Sequence, residues 1–160
     1  MLGNADVICC PLTSAADKTL RKFIVTQLND NLFDMLVIDE CAQAIEPACW
    51  IAIQWAKRLV LAGDHKQLDA TVKSDEASRR GLSLSLFERV MNFPEAERFQ
   101  TMLVEQYRMN SVIMQWSSNQ MYEGRLVAHA SVSDRVLSDL LAVNGAGEES
   151  KEAAEPADVA

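Results

Sequence analysis

Short apolar runs alternate with segments of helical spacing along this chain, an order that predicts a parallel sheet covered by helices. Asp6-Val7-Ile8-Cys9-Cys10 reads as a strand closed by Pro11. Thr13 and Ser14 are placed to cap a following helix, on which Leu20, Phe23, Ile24 and Leu28 share one face. After an Asn29-Asp30-Asn31 turn, Met35-Leu36-Val37-Ile38 is apolar throughout, the pattern of a strand buried on both faces. Pro47 suits a first helical turn, and Trp50, Ile51, Ile53 and Trp55 supply that helix with its apolar content. A third strand is predicted over 58–62, stopped by Gly63-Asp64, and an exposed polar loop over 65–80. Further on come a helix over 82–91, a strand over 101–104, and a helix over 111–122 with Ile113, Trp116 and Met121 inward. The fold class is α/β, a partial parallel sheet with flanking helices.

Beyond Val143 the chain turns to Gly, Ala, Glu and Ser, the composition of an acidic disordered tail over 144–160. That tail changes how the charge is read. The net charge is −8, but residues 131–160 carry 2 basic and 7 acidic side chains, against 13 and 16 in residues 1–130. The body is therefore only mildly acidic, and any nucleic-acid contact must come from a local surface rather than from the global field. No apolar run approaches the roughly 20 residues of a membrane helix, and no secretory leader stands at the start. The four cysteines, Cys9, Cys10, Cys41 and Cys49, lack the spacing of a zinc site and read as buried or inert thiols of a reducing compartment, cytosol or nucleus.

Four short segments carry candidate chemistry. Parallel sheets bind ligands at the carboxyl ends of their strands, and two strand exits here end in acids, Ile38-Asp39-Glu40 and Ala62-Gly63-Asp64. Asp39 can hold Mg²⁺ through its water shell and Glu40 can orient or deprotonate an attacking water; equally, the pair can cap the next helix through its dipole. Gln67 can sense a terminal phosphate, or belong to a solvated loop. Arg108, after the strand predicted at 101–104, can stabilise charge on a transferring phosphoryl group, or be an ordinary surface arginine. Thr13 and Ser14 can hold a nucleic-acid phosphate at a helix start, or simply cap it.

The order of these segments narrows the choice. Leu36-Val37-Ile38-Asp39-Glu40-Cys41-Ala42-Gln43-Ala44-Ile45-Glu46, Leu61-Ala62-Gly63-Asp64-His65-Lys66-Gln67-Leu68, Gly81-Leu82-Ser83-Leu84-Ser85-Leu86 and Gln106-Tyr107-Arg108-Met109-Asn110 together resemble superfamily 1 helicases of the up-frameshift-like branch. The resemblance runs nearly without a break from Asp6 to Leu141. It implies a partial RecA-like (P-loop NTPase type) sheet and 5′-to-3′ movement on single-stranded RNA or DNA, driven by ATP and Mg²⁺. It assigns metal binding to Asp39, catalysis to Glu40, Gln67 and Arg108, nucleotide contact to Asp39, Gln67 and Arg108, and nucleic-acid contact to Thr13 and Ser14. It further implies that 1–130 is the back part of a first motor domain and 131–143 the start of the connection onward. Ribosome-associated or RNA-surveillance factors are the implied partners.

Three positions depart from the family pattern. Asp69-Ala70 stand where two prolines are usual, and Pro11 where a threonine is usual. No Gly-x-x-x-x-Gly-Lys-Ser/Thr string occurs, so the phosphate-cradling loop is expected upstream. Two functions follow: part of an ATP-dependent helicase, or a non-catalytic remnant with weak nucleic-acid or partner binding. For residues 1–160 alone, negligible ATP hydrolysis is expected.

Overall fold

The computed structural model describes residues 4–27 and 32–139. Leu28, the turn at 29–31 and the tail at 144–160 lie outside the described residues. The chain divides into two compact units, 1–101 and 102–160.

In the first unit a 3₁₀ turn, Leu12–Ala16, leads into α1 (Lys18–Gln27). The residue that caps α1 is Asp17, whose Oδ1 accepts the Thr19 N–H at 2.7 Å. Thr13 and Ser14, expected in that role, lie inside the 3₁₀ turn instead. Then come β1 (Leu36–Ile38), a 3₁₀ turn at Cys41–Gln43, α2 (Glu46–Ile53) with Pro47 in its first turn, and β2 (Leu59–Leu61). β1 and β2 pair in parallel, Leu36 opposite Leu59 and Ile38 opposite Leu61, so α2 is the crossover of a βαβ unit. A short helix α3 (Asp75–Ala77) and a wide turn at Ser78–Leu82 interrupt the segment expected to be an open loop. The next helix, α4 (Leu86–Met91), starts later than its apolar pattern predicts. Gly81 at φ 94° breaks the backbone first, and Ser85 then caps α4 by accepting the Glu88 N–H at 3.1 Å.

The core of this unit is Ile38, Cys41, Cys49 and Leu86, packed by Leu12, Leu36, Ile53, Leu61 and Phe87 among others. It covers one face of the sheet only. Val37 is 57% exposed, and Leu59 and Val60 are exposed as well, so β1 is not buried on both faces among the described residues. No strand forms at residues 6–10, where Val7 is exposed, because no described segment offers a ladder to pair with them.

The second unit holds β3 (Glu105–Gln106), α5 (Ser111–Met121), β4 (Val127–Ala128) and α6 (Ala130–Ser133), with β3 and β4 parallel. The strand expected over 101–104 is displaced toward the C-terminus: pairing begins at the Val104 carbonyl, which accepts the Val127 N–H at 2.8 Å, and continues through Gln106. α5 turns Met114 and Ser118 inward, while Ile113, Trp116 and Met121 are exposed. Ser118 earns its buried place by chemistry rather than size, since its hydroxyl accepts the Leu126 N–H at 3.1 Å.

Candidate functional site at the strand exits

The in-register pairing of β1 and β2 brings two sequence motifs to one sheet edge. Beyond Ile38 and Leu61 the strands stay tied: Ala62 donates its N–H to the Ile38 carbonyl at 2.9 Å, and Cys41 donates to the Ala62 carbonyl at 3.0 Å. Asp39-Glu40 and the Gly63-to-Gln67 loop therefore leave the sheet side by side. Gly63 packs directly on the turn that follows Glu40, as a Cβ there would meet Ala42 N and Cys41 Sγ at 3.0 Å.

Asp39 and Glu40 are both exposed. The Asp39 Oδ1 accepts the Glu40 N–H at 3.0 Å, which fixes the carboxylate across the turn. Glu40 sits in the left-handed region at φ 52°, a conformation uncommon outside glycine, and its Oε2 accepts the Gln43 amide at 3.1 Å. The pair does not cap a helix through its side chains; the 3₁₀ turn at Cys41–Gln43 has no side-chain cap bond. Among the described residues no three His, Cys, Asp or Glu side chains gather into a metal cage. A single exposed carboxylate at a strand exit fits Mg²⁺, which keeps most of its waters and takes its other oxygens from phosphates.

Gln67 is also exposed, and its amide is not idle: Nε2 donates to Asp64 Oδ2 at 2.7 Å. The same carboxylate accepts the Lys66 N–H through Oδ1 at 2.9 Å. Residue spacing singles out Gln67 but not its holder, although an acid three positions before a glutamine in a turn is the local signal, repeated at Glu40 and Gln43. Thr13 and Ser14 are exposed on their 3₁₀ turn, where Ser14 donates its N–H to the Pro11 carbonyl at 2.9 Å.

Arg108 belongs to the second unit, on the loop between β3 and α5. Gln106 pins that loop. Its Oε1 accepts the Arg108 and Met109 N–H groups at 2.8 and 2.7 Å, and its Nε2 donates to the Met109 carbonyl at 2.7 Å. The Arg108 side chain is left exposed. Beside it Tyr107 stacks on His129 at 4.3 Å and donates its hydroxyl to Glu105, which pushes the phenol above its ordinary range.

The cysteines divide into two classes. Cys41 and Cys49 are fully buried, and burial pushes the Cys41 thiol up to about 11 and raises that of Cys49. Cys9 and Cys10 are exposed, so the buried reading holds for Cys41 and Cys49 alone. Iodoacetamide at pH 8 should therefore label Cys9 and Cys10 of the native protein and spare Cys41 and Cys49 until denaturant is added. Peptide mass spectrometry reads this directly, and rapid native labelling of Cys41 would contradict the packing of the strand exit.

Comparison with known proteins gives this geometry a context. Two family models, each described as an AAA domain, match residues 1–75 and 82–157. DNA-binding protein SMUBP-2 of Mesocricetus auratus is 44% identical over 139 residues, which is 87% of this chain and 14% of that protein. DNA polymerase alpha-associated DNA helicase A of Saccharomyces cerevisiae is 37% identical over 151 residues, 90% of this chain and 22% of that protein. ATP-dependent helicase NAM7 of the same yeast is 37% identical over 138 residues, 86% of this chain and 13% of that protein. The chain thus spans less than a quarter of the length of each of these relatives.

Proposed function

Since the chain belongs to the superfamily 1 helicases of the up-frameshift-like branch, we propose that it supplies the water-activating part of an ATP-driven motor acting on single-stranded RNA or DNA. One observation carries this reading: the parallel register of Ile38 and Leu61 sets Asp39-Glu40 beside the loop that presents Gln67. Asp39 would hold Mg²⁺ through water. Bound there, the ion would neutralise charge on the phosphates of ATP. Glu40 takes a proton from the attacking water and aligns it, and Gln67 contacts the terminal phosphate or that water. Arg108 offsets charge developing on the phosphoryl group, and Thr13 and Ser14 lie along the nucleic-acid backbone.

Under the same proposal residues 1–130 form the back of a first motor domain, 131–143 lead onward, and 144–160 are an acidic tail. Its place of work is the cytoplasm or nucleus, with ribosome-associated or RNA-surveillance factors as partners. No helix among the described residues is long and apolar enough to cross a membrane.

The test is hydrolysis of ATP with and without single-stranded RNA or DNA, measured on the full-length protein containing this chain and on residues 1–160 alone. Nucleic-acid-stimulated turnover is expected of the first and negligible turnover of the second, because phosphoryl transfer depends on a phosphate loop that grips the nucleotide. A full-length protein that binds single strands and never hydrolyses ATP would leave the non-catalytic remnant standing.

A further inference from the structure

One ion pair in the first unit joins Glu46, which closes the first motif string and has been given no role, to an arginine outside every motif. Glu46, in the first turn of α2, is gripped through both oxygens by Arg89 of α4, with Nε to Oε2 at 2.7 Å and a second bond from Nη2 to Oε1. Trp50, one turn along α2, donates Nε1 to the same Oε1 at 2.9 Å. A bidentate guanidinium–carboxylate pair constrains direction as well as distance, and Glu46 is only 23% exposed, so solvent competes weakly for it. On the far side Arg89 lies over the Phe93 ring, 5.8 Å from its centroid.

What the pair closes is more telling than the pair itself. The segment from Asp39 to Ile45 joins β1 to α2, and it is fixed at its start by the sheet and the Cys41 bond to Ala62. At its end Ile45 forms an antiparallel bridge with Ser85, and Glu46 takes Arg89 one turn later. The partner segment leaves β2, carries Gln67, and returns at Ser85 to start α4. Both motif loops are therefore anchored at one end by the β1–β2 register and at the other by Ser85 and Arg89.

We infer that Glu46 and Arg89 are positioning residues for catalysis, a clamp that sets the Glu40 loop and the Gln67 loop against each other. The inference rests on the proposed ATP hydrolysis. Both act through the segments they tie together, at the Ile45–Ser85 bridge and along α4. Their loss should let the Glu40 carboxylate drift relative to the attacked phosphate, a geometric error that costs turnover more than substrate binding.

The experiment compares wild-type full-length protein with Arg89→Ala, Arg89→Lys, Glu46→Gln and Glu40→Gln in steady-state, RNA-stimulated ATP hydrolysis, alongside thermal melts. For Arg89→Ala and Glu46→Gln, kcat is expected to fall about 10- to 100-fold with KM for ATP within about twofold. Arg89→Lys keeps the charge and loses the fork, and should recover only part of the rate. Turnover within twofold of wild type in Arg89→Ala, or a kcat loss that tracks the fall in Tm and is shared by KM, would overturn the clamp. Should Arg89→Ala fail to fold, Arg89→Lys and Glu46→Gln decide by the same criteria. Failure of the underlying reading looks different: wild type then shows no stimulated hydrolysis, and Glu40→Gln changes nothing.

Discussion

Glu40→Gln in the full-length protein is expected to lower nucleic-acid-stimulated kcat by about 10²- to 10⁴-fold, the usual contribution of a positioned general base. The substitution keeps the size of the side chain and its ability to accept from the Gln43 amide, whose bond to Oε2 measures 3.1 Å. What it removes is the negative charge and the basic oxygen that take a proton from water. Affinity for ATP should change little, because Glu40 stands exposed at the strand exit and no described group relies on it to hold the backbone turn. The backbone at φ 52° tolerates glutamine no worse than glutamate, so the melt should be unchanged within about 0.5 kcal/mol. Stopped turnover with intact nucleotide binding is the signature to look for, by phosphate release and fluorescent-nucleotide titration. A variant retaining more than a tenth of the wild-type rate would remove Glu40 from the role.

The role of Glu40 rests on the resemblance, but its place at a strand exit was legible in the residues, since an apolar strand ending in two acids needs only local pattern to be seen. The same holds for Gln67 and for the crossover helix after Pro47. Legibility fails where partner choice is tertiary. Arg89 and Glu46 lie 43 positions apart, and no spacing rule pairs them. Asp64 looked like a turn residue until the fold showed its carboxylate holding the Gln67 amide. α5 misleads for another reason: hydrophobicity points to Ile113 and Trp116, but the buried positions are Met114 and a serine satisfied by the backbone of residue 126. Exposure of Val37, Leu59 and Val60 has a related cause. Their apolar pattern suits a sheet covered on both faces, and the described residues cover one. The site is thus readable as a list of motifs, while its supports are readable only as contacts.

Gly63→Ala is expected to be among the most damaging single-methyl changes in the first unit, and it tests whether those supports matter. Gly63 follows the β2 exit with no room for a Cβ: the added carbon would lie 3.0 Å from Ala42 N and Cys41 Sγ and 3.2 Å from Cys41 N. Two of these three atoms are backbone and cannot rotate away. The third belongs to a fully buried side chain whose Sγ is 3.0 Å from the Ala62 carbonyl. Relief therefore requires the segment after Glu40 to move off the sheet edge, at a cost of roughly 1–3 kcal/mol by analogy with overpacked cores. A displacement of a few tenths of an ångström to one ångström at Cys41 carries Glu40 with it, and turnover should fall by up to about 100-fold. Gly81→Ala provides the contrast. Its backbone sits at φ 94°, so alanine there is strained by roughly 1–2 kcal/mol, yet nothing lies within 4 Å of the added carbon. Comparable losses of stability should then accompany very different losses of activity, large for Gly63→Ala and slight for Gly81→Ala. Urea melts beside RNA-stimulated ATP hydrolysis make the comparison, and equal activity losses in the two variants would mean that general destabilisation, not the fit between the strand exits, controls the reaction.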